Sequence, residues 1–160
     1  MTDAHSSYRF AVRDHAADKA ATAYGQTLDE VFAAAAYAMF GIMFHLSTVG
    51  REEVRELALA ADSGEELLRG WLNELLFLFD TEKLVFGEFA VEVHDQPWRL
   101  EGIARGQRYA ESRGARPCAP TCYAPTRRGA VVKAVTYHQF ALRPPQTPGG
   151  DWAAEMVFDV

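Results

Sequence analysis

At 160 residues, 49% of them apolar and 24% charged, the chain has the size of one globular domain that can bury about two-thirds of its unfolded surface. Acidic residues outnumber basic ones 22 to 16, and the resulting formal charge of −6 argues against a protein that holds nucleic acid chiefly by neutralising phosphates. Two cysteines are too few for a disulfide framework.

In chain order, the first ten residues, MTDAHSSYRF, lack the basic-then-apolar layout of a signal peptide, so the expected compartment is the cytoplasm. Residues 8–12 and 19–24 are short strand candidates. Thr27-Leu-Asp-Glu30 then reads as a capping box: the Thr27 hydroxyl accepts from the Glu30 N–H while the Glu30 carboxylate reaches back to the Thr27 N–H. A helix therefore starts at Leu28, and Leu28, Val31, Phe32, Ala35, Met39 and Ile42 form a stripe able to cover a sheet. The apolar run from Val31 to Leu46 is shorter than the ~20 residues a bilayer core requires, so it is read as a buried helix and no membrane partner is expected.

Glu52 to Ala60 is a further strand candidate. Ser63-Gly-Glu-Glu66 repeats the capping signal, and Leu67, Leu68, Trp71, Leu72, Leu75, Leu76 and Phe79 follow at helical spacing over about 16 residues, ~24 Å. Three segments then read as strands: Phe89 to Val93, which alternates apolar and acidic residues, Val131 to Leu142, and Trp152 to Val160. This order favours an α+β two-layer sandwich, two main helices on a mainly antiparallel sheet, over a doubly wound parallel sheet. With no repeat and no long linker, residues 1–160 are expected to form one domain.

Two stretches interrupt the pattern. Residues 112–129, SRGARPCAPTCYAPTRRG, are rich in arginine and proline and predict an exposed basic loop; residues 143–150, RPPQTPGG, predict another. Cys118 and Cys122 form C-x3-C in the first loop, but with no second Cys pair a zinc site lacks two ligands.

The end of the chain carries the chemistry of most interest. Phe158-Asp159-Val160 sets the Asp159 carboxylate beside the Val160 α-carboxylate, two negative charges on adjacent residues. A solvated chain end and a hard-cation site both fit that spacing. A cation would need a third carboxylate, and Asp18, at the bend between the first two strand candidates, is a candidate for it. Ligating carboxylates must be deprotonated, so affinity would fall as pH drops.

Six stretches occurring in order, His15-Ala-Ala-Asp18, 25–32 (GQTLDEVF), 38–40 (AMF), 71–82 (WLNELLFLFDTE), 132–138 (VKAVTYH) and 158–160 (FDV), resemble the archease family over nearly the whole chain. That resemblance implies an α+β sandwich and a divalent ion, Ca²⁺ or Mg²⁺ with Mn²⁺ as a further candidate, held by Asp18, Asp159 and Val160. It also implies service to an RtcB-type GTP-dependent RNA ligase, with tight direct binding of RNA not expected. The chain departs from the family at Ala16, where the family carries threonine, and in the arginine-rich loop.

Four more residues are candidates for contact with the partner or a phosphate. Lys133 is either a solvated strand lysine or an ammonium that orients a phosphate beside the metal. His138, five residues on, would face the opposite side of a regular strand. Asn73 and Glu74 fall off the leucine stripe and belong either to a polar helix surface or to a docking face, together with Asp80 and Glu82. His15, three residues from Asp18, is a possible hydrogen-bond donor behind the metal ligands. The functional expectation is an accessory protein, not an enzyme, that promotes guanylylation and turnover of the ligase in tRNA splicing or RNA repair. A chaperone-like adaptor for another RNA-modifying enzyme is the alternative. A metal-dependent hydrolase is poorer, since no nucleophile, histidine pair or phosphate-cradling glycine loop accompanies the carboxylates.

Overall fold

The computed structural model describes residues 8–15, 18–109, 125–128 and 131–160. In chain order they form β1 (Arg9–His15), β2 (Asp18–Gly25), α1 (Leu28–Met43), β3 (Phe44–His45), a 3₁₀ turn (Leu46–Thr48), β4 (Glu53–Ala61), α2 (Gly64–Glu82), β5 (Leu84–His94), β6 (Trp98–Arg108), β7 (Thr126–Arg127), β8 (Ala134–Val135), β9 (Ala141–Arg143) and β10 (Trp152–Asp159). The class is α+β. Every strand pairing among the described residues is antiparallel, and the strands divide into three sheets. A five-stranded sheet runs β1-β2-β10-β8 with β9 also on β10, a three-stranded sheet runs β4-β6-β5, and β3 pairs with β7. No helix among the described residues is long and apolar enough to cross a membrane.

Both helices begin at the residues the capping signals mark. Thr27 Oγ1 accepts from the Glu30 N–H at 3.2 Å, and Ser63 Oγ accepts from the Glu66 N–H at 3.2 Å. The reciprocal half of the first box differs from expectation: the Glu30 carboxylate accepts from the Gln26 N–H at 2.7 Å, one residue ahead of Thr27. It thereby ties down the turn that leads out of β2 as well as the helix.

A one-sided stripe on α1 proves too narrow a description. Val31 to Ala36, Ala38 to Phe40, Ile42 and Met43 are all buried, because α1 lies between the two larger sheets and packs on both β2 and β5. Its alanines supply the small cross-section that position demands. Helix α2 buries the expected residues on one side, yet runs 19 residues, about 28 Å at 1.5 Å each. It stops at Lys83, whose left-handed backbone (φ 58°) turns its N–H onto the carbonyls of Leu78 and Phe79. The Trp71 indole locks the helices together by donating from Nε1 to the Phe32 carbonyl at 3.1 Å.

Strand β6 has no counterpart among the strand signals singled out in the sequence. Its buried face reads Leu100, Gly102, Ala104, Gly106, too small to register as an apolar alternation. Gly102 is small for a reason: a Cβ there would sit 2.8 Å from Trp71 Cζ3, inside the packing distance of the ring.

Residues 131–142 do not form one strand. The chain pairs with the end of β10 through β8, turns at Tyr137 to Gln139, where Gln139 has φ 53°, and returns to the start of β10 as β9. The 112–129 loop is likewise not wholly irregular, since Thr126 and Arg127 form β7. The remainder of that loop up to residue 124, with Cys118 and Cys122, and Ala16 lie outside the described residues.

Candidate functional site

The register of the five-stranded sheet decides which expected site residues meet. Strand β10 lies antiparallel to β2 with Asp159 opposite Asp18, and β1 continues the row with His15 opposite Asp18. On the far side of β10, Asp159 faces Ala134. Residues directly opposite on antiparallel strands project to the same face with Cβ atoms about 4.5–5.5 Å apart. Asp18 and Asp159, separated by 141 positions of sequence, therefore hold their carboxylates side by side at one end of the sheet.

Alternation along both strands places that pair on the face turned away from the helices. Ala21 and Ala23 of β2, with Ala154, Met156 and Phe158 of β10, are buried against the helix layer. Asp159 is exposed and Asp18 half-buried. Val160 follows Asp159 directly, so its α-carboxylate starts within one residue step, about 3.8 Å between Cα atoms, of the same point. Lys133 also arrives here: its backbone N–H donates to the Asp159 carbonyl at 2.7 Å, and its side chain is exposed.

The set fits a hard cation in its donor chemistry. All candidate donors are carboxylate oxygens, the kind Ca²⁺, Mg²⁺ and Mn²⁺ prefer, and two like charges directly opposite in a sheet repel unless a counter-charge sits between them. Among the described residues no three or more His, Cys, Asp and Glu side chains cluster as metal ligands, so a cation at the two aspartates would need a further donor from outside that set. One neighbouring cation is partnered elsewhere. Lys19, one residue beyond Asp18 and on the opposite face, is in an ion pair with Asp14.

The remaining candidates divide by position. His138 lies in the exposed turn at Tyr137 to Gln139, outside any strand, so facial alternation from Lys133 does not apply to it. Beside it, the Arg69 guanidinium of α2 stacks 3.2 Å from the centre of the Tyr137 ring. Asn73 is one helical turn from Arg69 and one from Phe77, so these three share a helix face; Phe77 is 58% and Tyr137 76% exposed. Asn73 and His138 thus border one partly aromatic surface. Glu74, exposed, is rotated about 100° away from it. Glu82 accepts from Arg55 Nη2 at 3.1 Å and serves the packing of β4 on α2, while Asp80 is simply exposed. Arg69 and Tyr137 were not singled out from the sequence, because nothing local marks a contact between residues 68 positions apart.

Residues 10–160 match the Archease protein family. The chain belongs to the archease family. It is 35% identical over 150 residues to Protein archease of Methanosarcina mazei, covering 92% of each chain, and 33% identical over 147 residues to Protein archease of Pyrococcus furiosus, covering 92% of this chain and 95% of that one. The archease fold is similarly matched by the solution structure of Methanobacterium thermoautotrophicum protein 1598, with a TM-score of 0.75 at 33% identity over 94% of this chain and 98% of that one. Each of the six stretches that carry the archease resemblance includes part of an element just described, and only Ala16 and Ala17 of the first lie outside the described residues.

Proposed function

We propose that this archease-family chain is an accessory protein, not itself an enzyme, that activates an RtcB-type GTP-dependent RNA ligase in tRNA splicing or RNA repair. It promotes guanylylation and multiple turnover of the ligase as that enzyme joins 3′-phosphate and 5′-hydroxyl ends. The observation that carries this reading is the direct opposition of Asp18 and Asp159 at the end of the five-stranded sheet, in a chain that belongs to the family.

Asp18, Asp159 and the Val160 carboxylate hold a divalent ion, Ca²⁺, Mg²⁺ or Mn²⁺, with water or partner groups completing its coordination. When bound, the ion neutralises phosphate charge. Lys133, whose backbone N–H is on the Asp159 carbonyl, adds a second positive group, and His15, in register with Asp18, belongs to the next strand of the same row. The acidic chain docks on a basic nucleotide cleft of the ligase, which steers the encounter, and the surface bordered by Asn73, Tyr137 and His138 makes the flanking contact. The protein works in the cytoplasm, without a membrane partner and without tight RNA binding of its own.

Guanylylation of the ligase is measured with wild type and with Asp18→Ala. The variant is expected to lose most of the stimulation; equal stimulation by both ends the proposal. Calorimetry with Ca²⁺, Mg²⁺ and Mn²⁺ tests the ion separately.

A further inference from the structure

A cleft of about 460 Å³ opens next to the carboxylate row, and its origin is the break in the 131–142 segment. β8 leaves β10 after the Thr136 N–H and Oγ1 have both donated to the Val157 carbonyl, at 3.0 and 3.1 Å, and β9 rejoins only at Glu155. Met156 and Val157 are left facing a gap bounded by Gln139 and Phe140. Across β2 the opposite wall is Arg13, whose register partner is Ala20, itself opposite Val157.

The charges in this cleft are unequal. Arg143 gives both Nε and Nη2 to Glu155 Oε2, at 3.2 and 3.1 Å, so those two cancel. Arg13 is exposed and has no hydrogen-bond or ion-pair partner among the described residues. Its row, Arg13–Ala20–Val157, is two residues from the row of His15, Asp18 and Asp159, about 7 Å along the strands. The row between them, Asp14, Lys19 and Phe158, projects to the opposite face of the sheet. A phosphate held by a cation on one side and a guanidinium on the other spans such a distance, and a planar guanidinium matches phosphate oxygens two at a time.

We infer that this cleft receives the polyphosphate of a nucleoside triphosphate, with Arg13 as the residue that grips it beside the cation and Phe140 as the apolar surface next to the nucleoside. The inference rests on the cation reading of Asp18 and Asp159 given above, and it assigns that site a ligand. The free charge of Arg13 distinguishes this cleft from the larger one, of about 920 Å³, that involves Glu56, Glu92 and Glu101 of the three-stranded sheet. Phosphate would be repelled there.

Calorimetric titrations of the whole protein with GTP, ATP and inorganic triphosphate, each with Mg²⁺, test the inference, alongside Mg²⁺ alone. Wild type is expected to bind the nucleoside triphosphates. Arg13→Ala is expected to weaken them at least tenfold with Mg²⁺ affinity unchanged, and Arg13→Lys to restore part of the loss. Phe140→Ala is expected to weaken the nucleotides but not inorganic triphosphate; equal binding of all three by wild type overturns the nucleoside part. A protein that binds Mg²⁺ and no triphosphate, or an Arg13→Ala variant with wild-type nucleotide affinity and an unchanged thermal midpoint, overturns the inference alone. Absence of Mg²⁺ binding, with Arg13-dependent nucleotide binding intact, overturns the cation reading and leaves Arg13 as the grip.

Discussion

Asp18 and Asp159 occupy directly opposed positions on neighbouring antiparallel strands, an arrangement that sets two carboxylates against each other across the sheet. Without a divalent ion this repulsion works against the fold. Asp18→Asn is therefore expected to stabilise the fold in chelator-treated buffer of low ionic strength, by up to about 1 kcal/mol and with a correspondingly higher thermal midpoint, the gain shrinking as salt is added. With saturating Ca²⁺ or Mg²⁺ the order reverses, since only the wild type gains the binding free energy of the ion. Melting curves of both proteins in the two conditions check this, and parallel curves throughout would remove the shared cation pocket.

Gly102 and Trp71 make a stability test free of any functional assumption. A methyl group at 102 would lie 2.8 Å from Trp71 Cζ3 and 2.9 Å from Cη2, and the ring is fully buried with its indole nitrogen committed to Phe32. Gly102→Ala is expected to cost about 1–3 kcal/mol in urea unfolding. Gly70, also in the chain segment of α2, has nothing within 4 Å of the corresponding methyl position, so Gly70→Ala is expected to stabilise by up to about 1 kcal/mol.

Tyr8 supplies a pH readout. Its hydroxyl donates to the Phe89 carbonyl at 3.2 Å and accepts from the Phe89 N–H at 3.1 Å, and its ring stacks on Tyr37 with centroids 4.5 Å apart. Burial of the phenol, which disfavours the phenolate, outweighs the Phe89 hydrogen bond and raises its pKa above the ordinary value. A group whose pKa is raised by folding contributes its stability in full below the unfolded value, about 10, and loses it as pH rises through the folded one. Ultraviolet titration is expected to show one tyrosine ionising later than the rest, and Tyr8→Phe to abolish that late phase. Disappearance of the late phase in Tyr37→Phe instead would reassign it.

The helices were legible in the sequence because their caps and leucine spacing are local signals. Asp18, Asp159 and Lys133 could be named as candidates, but their meeting depends on β10 returning antiparallel to β2 in one register, which no local pattern encodes. Strand β6 escaped notice because its core face is built from glycine and alanine to admit Trp71 and α1. The break at Tyr137 to Gln139 was hidden in a run of strand-favouring residues; only the left-handed backbone of Gln139 reveals it. Nothing local in the sequence marks Arg13, which lines a cleft only because of the gap beside Val157.

β10 is flanked on both sides, by β2 on one and by β8 and β9 on the other. During synthesis, the first hairpin therefore waits for residues 152–159 before its inner edge is covered, and β8 and β9 have no neighbour to join until then. The Arg9–Asp151 ion pair, closed across 142 positions, shows how long that loop is. Such wide separations slow folding, and the unpaired edge of β2 invites pairing with another chain in the interval. A nascent chain stalled short of residue 152 should be a preferred client of chaperones that mask open sheet edges.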